Sequence, residues 1–209
     1  MKKNCFSIEM QTDNGNIILI SGPLATSTIE TLEFHEQLVA FRPPNEQKQA
    51  LVEISELPEG RIVGAIHDGT LVGYITFHYP DPFERWAEEN MDDLLELGAI
   101  EVARDYRKYS LAKKMMEIAF KDPEMENFIV ISTEYYWHWD LKHSGVSVWD
   151  YRKIMEKIMG SVGMEYYATD DPEICSHPAN FLMAKIGKNI PMESIMKFDS
   201  LRLKNRHMY

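Results

Sequence analysis

The sequence predicts an α/β chain built on a mixed sheet, and three stretches carry that expectation. Residues 61–79 form a hairpin: Arg61-Ile62-Val63-Gly64-Ala65-Ile66 and Leu71-Val72-Gly73-Tyr74-Ile75-Thr76-Phe77 flank His67-Asp68-Gly69-Thr70, and Asp-Gly is a strong two-residue turn signal. Residues 95–120 read as a buried strand, a tight turn and a helix with Leu111, Met115, Ile118 and Ala119 on one face. After Lys121-Asp122-Pro123 breaks that helix, Phe128-Ile129-Val130-Ile131-Ser132-Thr133 is a second continuous apolar strand.

The remaining elements are placed by local signals. Residues 5–11 and 17–20 are strands joined at Asn14-Gly15, and Gly22-Pro23 ends the second. Ser27-x-x-Glu30 is a capping box that predicts a helix over about 28–40, stopped by Phe41-Arg42-Pro43-Pro44. A short helix is expected over 46–55, and 80–91 is a loop or short helix. Tyr135-Tyr136-Trp137-His138-Trp139 is an aromatic run. Ser144 or Ser147 opens a helix that Gly160 and Gly163 end. Residues 165–169 read as a strand, 171–178 as a loop and 179–186 as a short helix closed by Gly187. The final segment, with Ile195, Phe198 and Leu201 three apart, reads as an amphipathic helix whose end is basic through Arg202, Lys204 and Arg206. There are no internal repeats.

Composition narrows the function. A chain of 209 residues with 44% apolar residues can bury one substantial core. No run of eighteen apolar residues occurs, so no membrane span is expected. Residues 1–9 carry charge without an apolar stretch, so no signal peptide is expected. Two cysteines suit a reducing cytoplasm. The net charge of −11 argues against nucleic acid as a partner. Against that background one turn stands out, because Arg104, Arg107, Lys108, Lys113 and Lys114 place five cations within eleven residues. It precedes a helix, whose first N–H groups and dipole favour an anion.

That turn carries a resemblance. Arg107-x-x-Ser110-x-Ala112 resembles the Q/R-x-x-G-x-G/A pyrophosphate loop of the GNAT acyl-CoA N-acetyltransferases, and Glu96-Leu97-Gly98-x-Ile100-x-Val102 resembles the fourth strand of that fold. Helix, helix, hairpin and then strand-turn-helix is also that fold's element order. Lys108 and Ser110 depart from it, since the family usually has glycine at both. The resemblance implies that the fourth and fifth strands lie parallel and splay apart. It divides the chain into a core over 1–163, starting at about 17 after an extra N-terminal hairpin, and a strand-helix extension over 164–209 packed on that core.

Longer blocks narrow the resemblance. Phe41-Arg42-Pro43-Pro44, Tyr79-Pro80-Asp81-Pro82, Thr133-Glu134-Tyr135-Tyr136-Trp137-His138-Trp139-Asp140 and Ser176-His177-Pro178-Ala179-Asn180, among others, resemble the bacterial acetoin-utilisation acetyltransferases from about residue 15 onward. The resemblance implies an enzyme that moves acetyl from acetyl-CoA onto a lysine of acetyl-CoA synthetase and switches that enzyme off. Two other readings stand beside it: a non-catalytic scaffold that inhibits its partner by binding, and an acetyltransferase for a small amine.

The chemistry can be laid onto residues. A lysine amine has a pKa near 10.4, so only about one in a few thousand is neutral at pH 7, and transfer needs a base. Glu96 is the first candidate, at the position where family members that use a strand-four glutamate carry it, and Glu101 is the second. Strict alternation puts the two on opposite faces, although this strand usually carries a bulge in the family. Backbone N–H groups near Ile100 to Val102 are candidates to stabilise the oxyanion. Tyr135, Tyr136 and Tyr151 are candidates to protonate the leaving thiolate. The resemblance assigns the cofactor pyrophosphate to Arg107, Lys108, Tyr109, Ser110, Leu111 and Ala112. Between Glu84 and Glu101 seven carboxylates face one base, Arg85, which suits a cationic acceptor. Trp137 and Trp139 read as interface anchors or core packing. Cys175-x-His177 and His138 make no ligand set of zinc spacing, so no metal is expected.

Overall fold

The computed structural model describes residues 2–205. Contacts divide the chain into two compact units, Met1–His78 with Leu97–Met125 and Tyr79–Glu96 with Glu126–Tyr209.

The first unit begins with β1 (Phe6–Gln11) and β2 (Ile17–Gly22), an antiparallel pair. A short α1 (Thr26–Thr31) leads to a two-residue β3 (Glu33–Phe34), and then to α2 (Pro44–Glu56), which has proline at its first position, where no N–H is needed. β4 (Arg61–His67) and β5 (Thr70–His78) form the expected hairpin. Asp68 and Gly69 at its tip both have positive φ, 47° and 77°, as a type I′ turn requires. β6 (Leu94–Val102) enters this unit with its last six residues. A 3₁₀ turn (Arg104–Tyr109) follows, and then α3 (Leu111–Ala119), which lays Leu111, Met115, Met116, Ile118 and Ala119 against β2, β4 and β5. Ile29, Leu38, Leu51, Ile62, Leu71 and Tyr74 fill a core here.

The helix expected over 28–40 is cut short. α1 has Ala25 as its N-cap with no side-chain cap, so Ser27 lies inside the helix and the capping box is not made. Leu32 is already extended, at φ −74° and ψ 142°. The sheet captures the chain at that point: Glu33 N–H donates to Gly69 O at 3.1 Å, His35 N–H donates to Leu71 O at 3.0 Å, and β3 runs parallel to β5. Six residues of helix are below the length that sustains itself, so these tertiary bonds decide the backbone.

In the second unit, Leu94, Leu95 and Glu96 of β6 pair in parallel with Ile129, Val130 and Ile131 of β7 (Ile129–Glu134). The ladder stops at Glu96, the short contact expected of a splayed pair. A 3₁₀ turn (Tyr136–His138) and α4 (Leu141–Ser144) precede α5 (Val148–Gly160). Of the two serines, Ser147 caps α5, its hydroxyl accepting from Asp150 N–H at 3.1 Å. β8 (Glu165–Tyr167), α6 (Pro172–Cys175), β9 (Phe181–Ile186) and α7 (Met192–Arg202) complete the unit. Arg206 lies outside the described residues.

Two expectations fail here. Residues 179–186 are not a helix: β9 sits between β7 and β8, antiparallel to both. Phe181, Leu182, Met183 and Ala184 are all buried. A short apolar run buried on both faces has no polar alternation to mark it as a strand, and its Leu, Met and Ala read as helix formers until flanking strands take up its backbone bonds. Residues 171–178 are not all loop either. Asp171 accepts the N–H groups of Glu173 and Ile174 at 2.9 and 3.0 Å, and Pro172 opens the one-turn α6.

α7 is a helix as expected but is only weakly amphipathic, since Met192 and Met196 are exposed while Phe198 and Leu201 are buried. Phe198 is fully buried, edge-on to Tyr167 at 5.5 Å and tilted against Trp86 at 6.4 Å, with Leu201 buried beside it. Phe198→Ala is expected to lower stability by about 3–5 kcal/mol in urea unfolding, from lost burial plus the cavity.

Candidate active site

The basic turn keeps the shape that glycine would allow. Ser110 adopts the left-handed conformation, φ 56° and ψ 34°, and is the N-cap of α3. The backbone therefore makes the turn despite a side chain, at the cost of roughly 1–2 kcal/mol that left-handed geometry imposes on an L residue. Arg107, Lys108 and Ser110 are exposed, and Tyr109 and Ala112 are half-buried. Arg107 Nε donates to Val102 O at 3.3 Å, which ties the guanidinium to the end of β6. Lys108 Nζ lies 5.0 Å from the centre of the Tyr109 ring. The Leu111 side chain is buried in the core, so only its backbone N–H is left to meet a ligand. The first N–H groups of α3 have no partner within the helix. A left-handed cap, exposed cations and a helix start together fit a pyrophosphate.

Glu101 belongs to the same unit and is held on three sides. The Tyr74 hydroxyl donates to Oε2 at 2.5 Å, Ala40 N–H donates to Oε1 at 2.7 Å, and Val39 N–H is also hydrogen-bonded to it. Burial pushes its carboxyl up from the ordinary value, and these three bonds and Arg107 act against that. Burial, then Glu101, pushes Tyr74 far above the ordinary phenol range. These bonds make Glu101 the group that holds the irregular segment after β3.

Glu96 lies in the other unit and in a different setting. It is only 8% exposed, and its Oε1 accepts from the Thr133 hydroxyl at 3.0 Å. Burial raises its pKa; the Thr133 bond works against this, and the carboxylates of Asp81 and Glu134 add to it. Tyr135 follows two residues after Thr133, the residue that donates to Glu96. Burial, then Glu173, Asp171 and Glu84, pushes the Tyr135 phenol well above its ordinary range and keeps it protonated. Glu134 accepts from Trp139 Nε1 at 2.9 Å and from Ser132 Oγ at 3.1 Å, and burial raises its pKa too. Tyr151 stacks on Trp139 at 5.3 Å and 16°. Tyr136 points elsewhere, with its N–H bonded to Asn180 and its ring 4.2 Å from His177.

Thr133 thus meets Glu96 in contact and Tyr135 in sequence, Tyr151 stacks on the Trp139 ring that donates to Glu134, and Glu101 has its own set of partners. Thr133 and Glu134 were missed in the sequence. Their signal was a polar pair closing an otherwise apolar strand. Of the two tryptophans, Trp139 is core packing, and Trp137 is 44% exposed. Among the described residues no cluster of three or more His, Cys, Asp or Glu could hold a metal ion, and no helix is long and apolar enough to cross a membrane.

A carboxyl whose folded-state pKa lies above its unfolded value binds more protons when folded, so stability is lost as pH rises from the ordinary 4.5 through the folded value. Glu96→Gln is expected to raise the melting temperature at neutral pH and to flatten that decline in scans from pH 4 to 8. Ser110→Val is expected to cost roughly 1–2 kcal/mol in urea unfolding, since a β-branched residue fits the left-handed region worst.

The model of the acetyltransferase (GNAT) family matches residues 31–133. The chain is 55% identical to the acetoin utilization protein AcuA of Bacillus subtilis over 207 residues, covering 99% of this chain and 98% of that protein. It is 54% identical to AcuA of Bacillus licheniformis, covering 96% and 95%. The crystal structure of an acetoin utilization protein from Exiguobacterium sibiricum superposes with a TM-score of 0.97 at 50% identity, covering 100% of this chain and 99% of that one. The chain belongs to the GNAT family of acetyl-CoA-dependent acetyltransferases.

Proposed function

We propose that this acetyltransferase modifies a lysine of acetyl-CoA synthetase, switching the synthetase off, in acetoin and acetate utilisation in the cytoplasm. The observation that carries the reading is the buried Glu96 carboxyl, with its pKa raised and carboxylates around it. The naming of the full-length relatives as acetoin utilization proteins supports the metabolic setting.

In the proposed reaction the turn from Arg107 to Ala112 binds the pyrophosphate of acetyl-CoA through backbone N–H groups, Arg107 and Lys108. Glu96 takes the proton of the incoming ammonium, directly or through water, which an ordinary carboxylate would do poorly at neutral pH. The amine nitrogen forms its bond to the carbonyl carbon, and the C–S bond then breaks. N–H groups at Ile100 and Val102 steady the oxygen between those events. Tyr135 is the proposed donor to the departing thiolate, chosen over Tyr151 because it follows two residues after Thr133, which donates to Glu96. Glu101 serves this scheme by holding the backbone at 39 and 40.

A small-amine substrate is the second reading, since the carboxylates around Glu96 and Tyr135 also suit a polyamine. Intact-mass spectrometry of the synthetase with this enzyme and acetyl-CoA separates the two. One added acetyl group is expected. Glu96→Gln should lower kcat about 10²–10⁴-fold. Arg107→Ala should raise KM for acetyl-CoA about tenfold or more, the loss of a hydrogen bond to a charged group. An unmodified synthetase alongside rapid polyamine turnover would overturn the protein-substrate reading.

A further inference from the structure

The second unit carries an aromatic strip that leads away from the proposed transfer chemistry. It starts at Tyr135, two residues beyond Thr133, whose hydroxyl donates to Glu96. Trp137 stacks on Tyr135 at 4.9 Å and 18°, Tyr136 meets Trp137 edge-on at 5.4 Å and lies 4.2 Å from His177, and Trp149 stacks over His177 at 6.4 Å and 21°. Trp137 and Trp149 are 44% and 49% exposed. Beyond His177 the surface falls into a groove of about 210 Å³, whose walls include Arg152, Tyr166 and Cys175. The Arg152 guanidinium lies 4.8 Å from the Phe181 ring and 5.8 Å from that of Tyr166.

A fold has no internal reason to leave two tryptophans half in water in one continuous patch, and such patches mark interaction surfaces. Trp, Tyr and Arg are also the side chains that dominate binding hot spots. The occupant follows from what the strip is continuous with. After burial, the carboxylates of Glu173, Asp171 and Glu84 raise the Tyr135 pKa, Asp171 being also paired with Arg85 at 3.4 Å, and Asp81 and Glu134 act likewise on Glu96. Next to Glu84, Phe83 is 99% exposed. Whatever covers the strip therefore brings a cationic segment to the carboxylates and apolar side chains to the rings. A small amine would need only the carboxylates.

We propose that the strip from Tyr135 through Trp137 and His177 to Trp149, with the groove beyond it, is the docking face for the folded acceptor protein, the surface around its target lysine lying on the rings. The proposal rests on the protein-lysine reading above and says where recognition beyond the lysine itself is made.

The test compares two acceptors, intact acetyl-CoA synthetase and Nα-acetyl-lysine amide, with Trp149→Ala and the conservative Trp149→Phe. Trp149 is exposed and outside the proposed chemistry, so both variants should fold. Trp149→Ala is expected to raise KM for the synthetase about tenfold or more, leave the small acceptor unchanged, and be largely rescued in Trp149→Phe. An unchanged KM for the synthetase would overturn the docking face while leaving the lysine acetyltransferase intact. Equal losses on both acceptors would also overturn it, because they would show a structural role. Should the wild type bind the synthetase without acetylating it, the functional reading fails, and a binding titration decides the face: weaker binding by Trp149→Ala supports it, and unchanged binding overturns it. Neither acetylation nor binding would overturn both. A wild-type dimer that Trp149→Ala dissociates in sedimentation would assign the face to a second copy of the chain and overturn the proposal.

Discussion

A carboxylate removed from water must find hydrogen-bond donors or keep its proton, and strand β6 places two of them in that position five residues apart. The two solve the problem differently. Glu101 is surrounded by donors: the Tyr74 hydroxyl and the backbone N–H groups at 39 and 40. Those bonds give a segment with neither helix nor sheet pairing of its own a fixed partner. Glu96 has the Thr133 hydroxyl and other carboxylates nearby, so its charge is poorly supported and its affinity for a proton rises. One glutamate is thereby a structural acceptor and the other is suited to moving protons, although they share a strand and a residue type.

The same logic runs through the end of β7. Glu134 has two side-chain donors, Trp139 and Ser132, and the Trp139 ring they help to fix carries Tyr151 on its face. Thr133, the residue before Glu134, donates to Glu96. Four consecutive residues, Ser132 to Tyr135, thus supply a donor to Glu134, a donor to Glu96, an acceptor and a phenol. The parallel ladder with β6 ends just before them, while Ser132, Thr133 and Glu134 stay paired with Met183, Leu182 and Phe181 of β9.

The cofactor turn shows how a degenerate motif keeps its geometry. Glycine is common in such turns because left-handed backbone costs it nothing. Here Ser110 takes that conformation, held from both sides by the 3₁₀ turn before it and the buried first residue of α3 after it. The strain is local and modest, and serine offers a hydroxyl at the position nearest the helix start. The departure from glycine therefore changes the side chains presented there and leaves the path of the chain intact.

Much of this was legible in the amino-acid order. Asp68-Gly69 dictated a hairpin because only certain residues accept two successive positive φ angles. The apolar periodicity of Leu111, Met115 and Ile118 dictated a helix, and Glu96 and the cations at 104–114 stood out by position and charge. Tertiary structure alone decided the rest. It turned 179–186 into a strand, because a run buried on both faces has no periodicity to betray it. It ended α1 at Thr31, because the backbone of β5 offered acceptors that a short helix could not match. It separated Glu96 from Glu101, whose order along a strand says nothing about the number of donors each will meet. Local sequence sets backbone preference, whereas burial and hydrogen-bond partners, which fix what a carboxylate can do, arrive from residues distant in the chain.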